Sequence, residues 1–300
     1  MNVVISGATG FIGQYVCQSL KKTYKLSLLV RNQSKLTSDA YKNIDLVPLS
    51  LSDEELRMAL QSTDAFIHLA AQRPEKKITD QSIETYFDFI RFTNRILSAL
   101  KESSCKQIIN ISTKSVYGKK NIPPFTESQI PYPSSHYGLS KLLTEQLLNQ
   151  FVENSSIRLS HLRLSQVIGW GEKQANIVTA FLNNAINKNK QQVWGNGVGA
   201  RTYVYVKDVV NTIETALQKR VEGSFNIGWP EATSHSQMAE MINKVFGNPH
   251  IEYLTDKPED ISIEEIDTNK AKNELGWRPS FESLECALMD MKKDYEKKTV

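Results

Sequence analysis

The chain has 300 residues and a formal net charge of +3, enough for one large domain or two small ones. The basic excess is spread over short stretches (Lys76-Lys77, Lys119-Lys120, and the tail from Lys292 to Lys298), which argues against a nucleic-acid stripe. No apolar run approaches the ~20 residues that span a bilayer, no basic-then-apolar leader precedes the first strand, and the three distant cysteines (Cys17, Cys105, Cys286) and five histidines show no disulfide or metal-ligand spacing. A cytoplasmic protein with reduced thiols, no metal and no membrane partner is the expectation.

In chain order, Asn2–Ser6 reads as a strand and Phe11–Lys21 as a helix, followed by strands at Lys25–Val30 and Asp45–Leu49. A helix at Asp53–Leu60, a strand at Ala65–Ala70 and a long helix at Ile83–Leu100 come next. Gln107–Ser112 is a strand, Tyr137–Phe151 a helix and Ile157–Leu164 a sixth strand. His68 lies in an apolar run and reads as a satisfied strand residue. Strands separated by helices imply βαβ units, hence an α/β fold with a Rossmann-type doubly wound parallel sheet. After Gly169 the alternation breaks. Helices at Ile177–Asn187, Lys207–Gln218 and Ser236–Phe246 mix with extended pieces at Val193–Gly197, Thr202–Val206 and Gly223–Gly228, and Leu275–Pro279 reads as a helix stop and reversal. The expected division is a nucleotide-binding domain over 1–166 plus about 203–228, and a smaller C-terminal substrate-binding lobe over about 167–202 and 229–300.

Gly7-Ala-Thr9-Gly10-Phe11-Ile12-Gly13 joins the first strand to the first helix. Gly7 suits the sharp turn, Gly10 lets a pyrophosphate approach the backbone, and Gly13 lets the helix pack on the sheet. The unpaired amides of the helix start then face the anion. At the end of the second strand an acid would bind the ribose of NAD. Here the chain reads Leu29-Val30-Arg31-Asn32, with Lys35 following, so Arg31 points to NADP, with NAD the alternative.

Tyr137 and Lys141 stand at i and i+4 of a predicted helix, on one face. A free phenol, with a pKa near ~10, is a poor base at neutral pH, and a nearby ammonium favours the phenolate. The strand ending Ile111-Ser112-Thr113 offers a hydroxyl that could hydrogen-bond the same carbonyl oxygen.

With these motifs the chain resembles the extended short-chain dehydrogenases/reductases, specifically the NAD-dependent epimerase/dehydratase family of nucleotide-sugar enzymes. The resemblance covers nearly the whole chain. It runs through the Gly7–Gly13 loop, His68-Leu69-Ala70-Ala71, Ser112–Gly118, Tyr137–Lys141 with Glu145, Arg163–Gly169, Arg201–Asp208, Phe225–Gly228 and Leu275–Pro279. It implies Thr113 as the catalytic hydroxyl, Tyr137 as acid/base, and Lys141 as the residue that tunes Tyr137 and holds the ribose. It also implies cofactor contacts from the glycine loop, Leu69–Ala71, Tyr137 and Lys141, and substrate contacts from Gln166 and Arg201. Arg201 matches the arginine that meets the diphosphate in relatives; the alternative is an ion pair with Asp208. A homodimer is implied too, through apolar positions such as Leu142, Leu143, Leu147 and Leu148 on the Tyr137 helix; the alternative is that all of them are core.

Several positions depart from the family pattern. Pro48–Asp53 lacks the acid often found after the third strand, Phe89–Thr93 keeps only the threonine of its segment, and Gln166 replaces an asparagine. The family's 4,6-dehydratases carry Asp-Glu after the catalytic threonine, where this chain has Lys114-Ser115. Dehydration therefore lacks its acid and base, whereas 4-ketoreduction and 4-epimerisation need only Thr113, Tyr137 and the cofactor. The alternatives are an NADPH-dependent reductase of a non-nucleotide carbonyl compound and a non-catalytic NADP-binding sensor.

Overall fold

The structure is a computed structural model that describes all residues except 32–35, 37–38, 74–82, 249 and 300. Lys35, Asn32 and Lys76-Lys77 therefore lie outside the described residues. The first half runs β1 (Asn2–Ser6), α1 (Phe11–Leu20), β2 (Lys25–Val30), β3 (Asp45–Pro48), α2 (Asp53–Leu60), β4 (Ala65–His68), α3 (Glu84–Leu100), β5 (Gln107–Thr113), α4 (His136–Val152) and β6 (Arg158–Leu164). The second half adds β7 (Gln166–Ile168), α5 (Ile177–Ile186), β8 (Gln191–Trp194), β9 (Ala200–Arg201), β10 (Tyr203–Tyr205), α6 (Val206–Lys219) and β11 (Gly223–Ile227). It continues with β12 (Thr233–Ser234), α7 (His235–Phe246), β13 (Ile251–Leu254), β14 (Ile263–Glu264), a π-helical turn Ala271–Leu275 and α8 (Leu284–Thr299).

Seven strands form one sheet in the order β11-β6-β5-β4-β1-β2-β3, and every pairing in it is parallel. Strands buried on both faces need continuous apolar runs, and β1 supplies Val3-Val4-Ile5. Val3 and Ile5 pack on one side with Val16 of α1 and Val209 and Ile213 of α6. Val4 faces the other side, with Leu56 of α2, Ile96 of α3 and Leu148 of α4. The strand order reverses between β1 and β4, the switch point at which doubly wound sheets open a crevice for ligands. Both β1 and β4 end there, at Ser6 and His68.

A second core gathers Val178, Phe181 and Leu182 of α5, Tyr203 and Tyr205 of β10, Met238 and Ile242 of α7, and Leu284, Leu288 and Met291 of α8. Short strand pairs fasten this region: β13 lies parallel to β8, and β9 is flanked by β12 and β14. Sequence reading placed the strand at Val193–Gly197. The structure shifts it to Gln191–Trp194, where Ile251–Leu254 supplies its partner. Helix α8 and strands β7, β9 and β12–β14 were not anticipated. The π-helical turn leaves this region to pack Ala271, Leu275 and Trp277 into the α1–α6 side of the main sheet.

Candidate active site

The loop after β1 folds as its glycines require. Gly7 has φ +74°, and a Cβ there would stand 2.5 Å from Ala70 N. A Cβ on Gly13 would lie 2.4 Å from Gly7 O, so only glycine lets α1 close on the loop. Gly10 is the N-cap of α1 and offers no side-chain acceptor, and the first turn holds no acidic residue. The amides of that turn thus lack the usual compensating oxygen, which is what a pyrophosphate would supply. Thr9 and Gly10 are exposed, Phe11 and Ile12 half-buried. Across the crevice, Leu69 N donates to Ser6 O at 3.1 Å and Ala70 N to Ser6 Oγ at 3.4 Å, so the Leu69–Ala71 segment runs beside the glycine loop.

His68 is fully buried and engaged on both nitrogens, at 2.7 Å from Ser6 Oγ and 3.1 Å from Thr93 Oγ1. Burial, and then the nearby Lys141, push its pKa down to about 3, so it is neutral. This is the satisfied strand histidine expected from the sequence. The threonine retained from the family segment, Thr93, is its partner.

Arg31 is exposed at the end of β2, beside a surface cavity of about 450 Å³ that Leu49, Phe92 and Arg95 also line. Arg95 is held by Asp53 at 2.7 Å and by Leu49 O at 2.9 Å.

Thr113 ends β5 in extended backbone and caps the turn that follows, accepting from Ser115 N at 3.2 Å and donating to Ser115 Oγ at 3.3 Å. Ser135 caps α4 by accepting from Gly138 N at 3.1 Å, which puts Tyr137 in the first turn and Lys141 one turn on. Gly138 permits the approach: a Cβ there would stand 2.4 Å from Ser115 O. Thr113 and Tyr137 are thereby brought close enough for the Thr113 hydroxyl to help lower the Tyr137 phenol.

The electrostatics differ from the sequence expectation. Burial raises the Tyr137 phenol above its usual value. The charge that opposes this is Arg73, with the Thr113 hydrogen bond second. Lys141 is not among the groups that lower Tyr137 here; its own pKa is brought down by burial to about 8, with Glu145 opposing. Sequence reasoning missed Arg73, which stands in no motif. It pairs with Glu172 at 2.9 Å, joining the segment after β4 to the Trp170–Glu172 loop.

Behind Lys141 lies a buried polar network. Glu145 Oε2 accepts from Arg163 Nη2 at 2.7 Å, and Glu145 Oε1 accepts from Arg163 Nε at 3.1 Å and Ser112 Oγ at 2.5 Å. Arg163 Nη1 donates to Tyr117 Oη at 3.1 Å, and Tyr117 donates to Asn226 Oδ1 at 2.7 Å.

Gln166 is half-buried on β7, its backbone N–H donating to Thr202 O at 3.2 Å. Arg201 does not pair with Asp208, the alternative weighed from the sequence; Asp208 accepts from Ser280 N at 2.8 Å instead. The Arg201 guanidinium meets Asp260, lies 3.5 Å from Glu264, and donates to Ala200 O and Ser262 O at 2.9 and 2.8 Å. Glu264 also pairs with Lys114, whose ammonium is largely buried. Lys114 thus bridges the end of β5 to β14. Among the described residues no cluster of three or more potential metal ligands occurs, and no helix is long and apolar enough to cross a membrane.

The NAD dependent epimerase/dehydratase family matches residues 3–228. A Bacillus subtilis protein described as an uncharacterized UDP-glucose epimerase is 26% identical over 298 residues, covering 93% of each chain. The UDP-glucose 4-epimerase of Thermotoga maritima, solved with UDP-glucose, superposes with a TM-score of 0.84 at 26% identity over the whole of both chains. The UDP-glucuronic acid 4-epimerase of Bacillus cereus, solved with UDP-glucuronic acid and NAD, gives 0.82 at 25% identity, again over the whole of both.

Proposed function

The chain belongs to the NAD dependent epimerase/dehydratase family, enzymes acting on nucleotide sugars, and from that premise we propose that it is a nucleotide-sugar 4-epimerase retaining NAD. The observations that carry this reading are Tyr137 and Lys141 one turn apart on α4, the start of that helix packed against the end of β5 that carries Thr113, and Lys114 and Ser115 in place of an acid pair. The preference for NADP drawn from Arg31 is not supported. The relatives solved with a dinucleotide hold NAD, and an exposed arginine at the end of β2 is compatible with either cofactor.

Bound NAD would supply the hydride acceptor and donor for the sugar C4. Gly7, Thr9, Gly10, Phe11, Ile12 and Gly13 would cradle its pyrophosphate, Arg31 its adenosine end, and Leu69–Ala71 the opposite wall of the crevice. Tyr137 takes the C4 hydroxyl proton and later returns it. Thr113 holds that oxygen and stabilises its developing charge. Lys141 holds the ribose and supplies positive charge. Gln166 and Arg201 would contact the sugar diphosphate, with Arg201 exchanging its carboxylate partners for phosphate oxygens. In this reading residues 1–166 and about 203–228 bind the dinucleotide, and about 167–202 and 229–300 form the substrate lobe. The chain works in the cytoplasm as a homodimer, using the exposed α3–α4 residues Phe87, Leu139 and Leu143.

The test is to incubate the purified chain with UDP-glucose, UDP-N-acetylglucosamine or UDP-glucuronic acid without added nucleotide. Chromatography should show the 4-epimer accumulating to a fixed ratio from either side. No epimer from any of the three, together with NADPH-dependent consumption of a 4-keto sugar, would replace this reading with a 4-ketoreductase.

A further inference from the structure

Arg201 and Glu264 stand opposite each other where β14 runs parallel to β9. Opposite charges in that register are natural partners. Yet Arg201 Nε lies 3.5 Å from Glu264 Oε2, and the closer contact to that same oxygen is the Lys114 ammonium. Arg201 turns its Nη2 to Asp260 instead. Lys114 is well fixed for its contact. Its backbone opens the Lys114–Val116 turn that Thr113 caps, Tyr117 N donates to its carbonyl at 3.0 Å, and its side chain is only 11% exposed.

Both carboxylates are ionised. Against burial, Lys114 and then Arg201 hold the Glu264 carboxyl below its usual value. Asp260, also against burial, is held down to about 2 by Ser262 and then Arg201. Two anions therefore flank one guanidinium, and an incoming diphosphate adds negative charge beside them. Asp260 has a second anchor, since its Oδ1 accepts from Ser262 N at 2.9 Å and Ser262 Oγ at 2.6 Å. The charged groups that the Glu264 carboxylate meets among the described residues are Lys114 and Arg201. The Lys114 pair is not needed to fasten the strand. Phe125 N donates to Glu265 O and Asp267 N to Phe125 O, both at 2.8 Å, so the chain around β14 is already bound to the connection between β5 and α4. What Lys114 adds is a charge that draws Glu264 off Arg201.

We propose that Lys114 is a positioning residue for substrate binding: it holds the Glu264 carboxylate away from Arg201, so that the guanidinium can take up the diphosphate of a nucleotide sugar. This rests on the diphosphate role given to Arg201 above and adds a residue that acts on the phosphates only through Glu264. As the diphosphate takes Arg201, Glu264 stays with Lys114 and its charge stays balanced.

Binding of UDP to the full chain, measured by calorimetry, tests this without turnover. Lys114→Met removes the ammonium and keeps the apolar stem. Glu264, its side chain 40% exposed, is then free to close on Arg201, and UDP affinity should fall by about tenfold. In Lys114→Met/Glu264→Gln the competing carboxylate is gone as well, and affinity should return to the wild-type value. Glu264→Gln alone removes an anion beside the site and should bind UDP at least as tightly as the wild type. A loss that persists in the double variant would mean that Lys114 meets the phosphates itself or serves only the fold, and overturns the proposal. So does a folded Lys114→Met that binds like the wild type, or a Glu264→Gln that binds more weakly. If Lys114→Met does not fold, Glu264→Gln decides by itself. A wild-type chain that binds no UDP defeats the reading of Arg201 and this proposal together, whereas wild-type binding that Lys114→Met leaves unchanged defeats this proposal alone.

Discussion

Tyr137 sits where burial works against its use as a base, so the groups around it decide at what pH it can accept a proton. Arg73 and the Thr113 hydrogen bond oppose the burial, and Arg73 is the larger of the two. Replacing Arg73 by Gln removes a cation that favours the phenolate, so the phenol rises further. The ascending limb of the kcat/KM profile should then move to higher pH, and a limb that stays in place would show that Arg73 does not reach the phenol in the working enzyme. Tyr137→Phe should lower kcat by about a hundred- to ten-thousand-fold, the span of a positioned acid/base. Dinucleotide content, read from absorbance, should be unchanged, because the phenol is not needed to hold the glycine loop. Thr113, Tyr137 and Lys141 were legible in the sequence because each stands in a local motif. Arg73 was not, because it reaches Tyr137 only through the path of the chain after β4. The pairing of Glu145 and Arg163 was hidden for a similar reason: they stand in separate motifs that meet only when α4 packs across β5 and β6.

At the scale of elements, the β1–α1 turn shows how sequence and geometry agree. Gly13→Ala places a methyl 2.4 Å from Gly7 O, against backbone that cannot yield without opening the loop. That variant should purify free of dinucleotide; retention of a full complement, measured by absorbance of the denatured protein, would contradict the cradle. The central strands make a second prediction. His68 on β4 and His161 on β6 are neutral in the fold, with pKa values lowered by burial to about 3 and about 4 from 6.5. Between those values and 6.5 the unfolded chain binds more protons, so stability is full above about 6.5 and is lost as pH falls toward 4. Thermal melts should show Tm declining from pH 7 to pH 5, and a flat Tm would mean that these rings take up protons in the fold. The first half of the chain was readable nearly to the residue because each β–α pair carries its own period, and α2 and α4 also carry side-chain caps. Ser52 and Glu55, for example, form a capping box that fixes the start of α2. The two-residue strands β9, β12 and β14 have no period to read and exist only through one another. Helix α8 was missed because Leu284, Ala287, Leu288 and Met291 are separated by charged residues and resemble a solvated tail until α7 is present to receive them.

For the whole molecule, the sheet brings the ends of β1, β4 and β5 side by side, and Lys114 after β5 is tied through Glu264 to Arg201. The α3–α4 face leaves Phe87, Leu139 and Leu143 more than two-fifths exposed, while Leu148, expected on the same contact, is fully buried in the core. Sedimentation should give a dimer, and Leu139→Glu/Leu143→Glu should give a monomer with an unchanged melting profile in the far ultraviolet; a wild-type monomer would remove this face from the account. The central claim, an epimerase that keeps its cofactor, is tested most directly by denaturing the purified chain and identifying the released nucleotide by chromatography. The account predicts NAD, near one per chain. A chain that releases nothing and then binds NADPH in preference to NADH would contradict it.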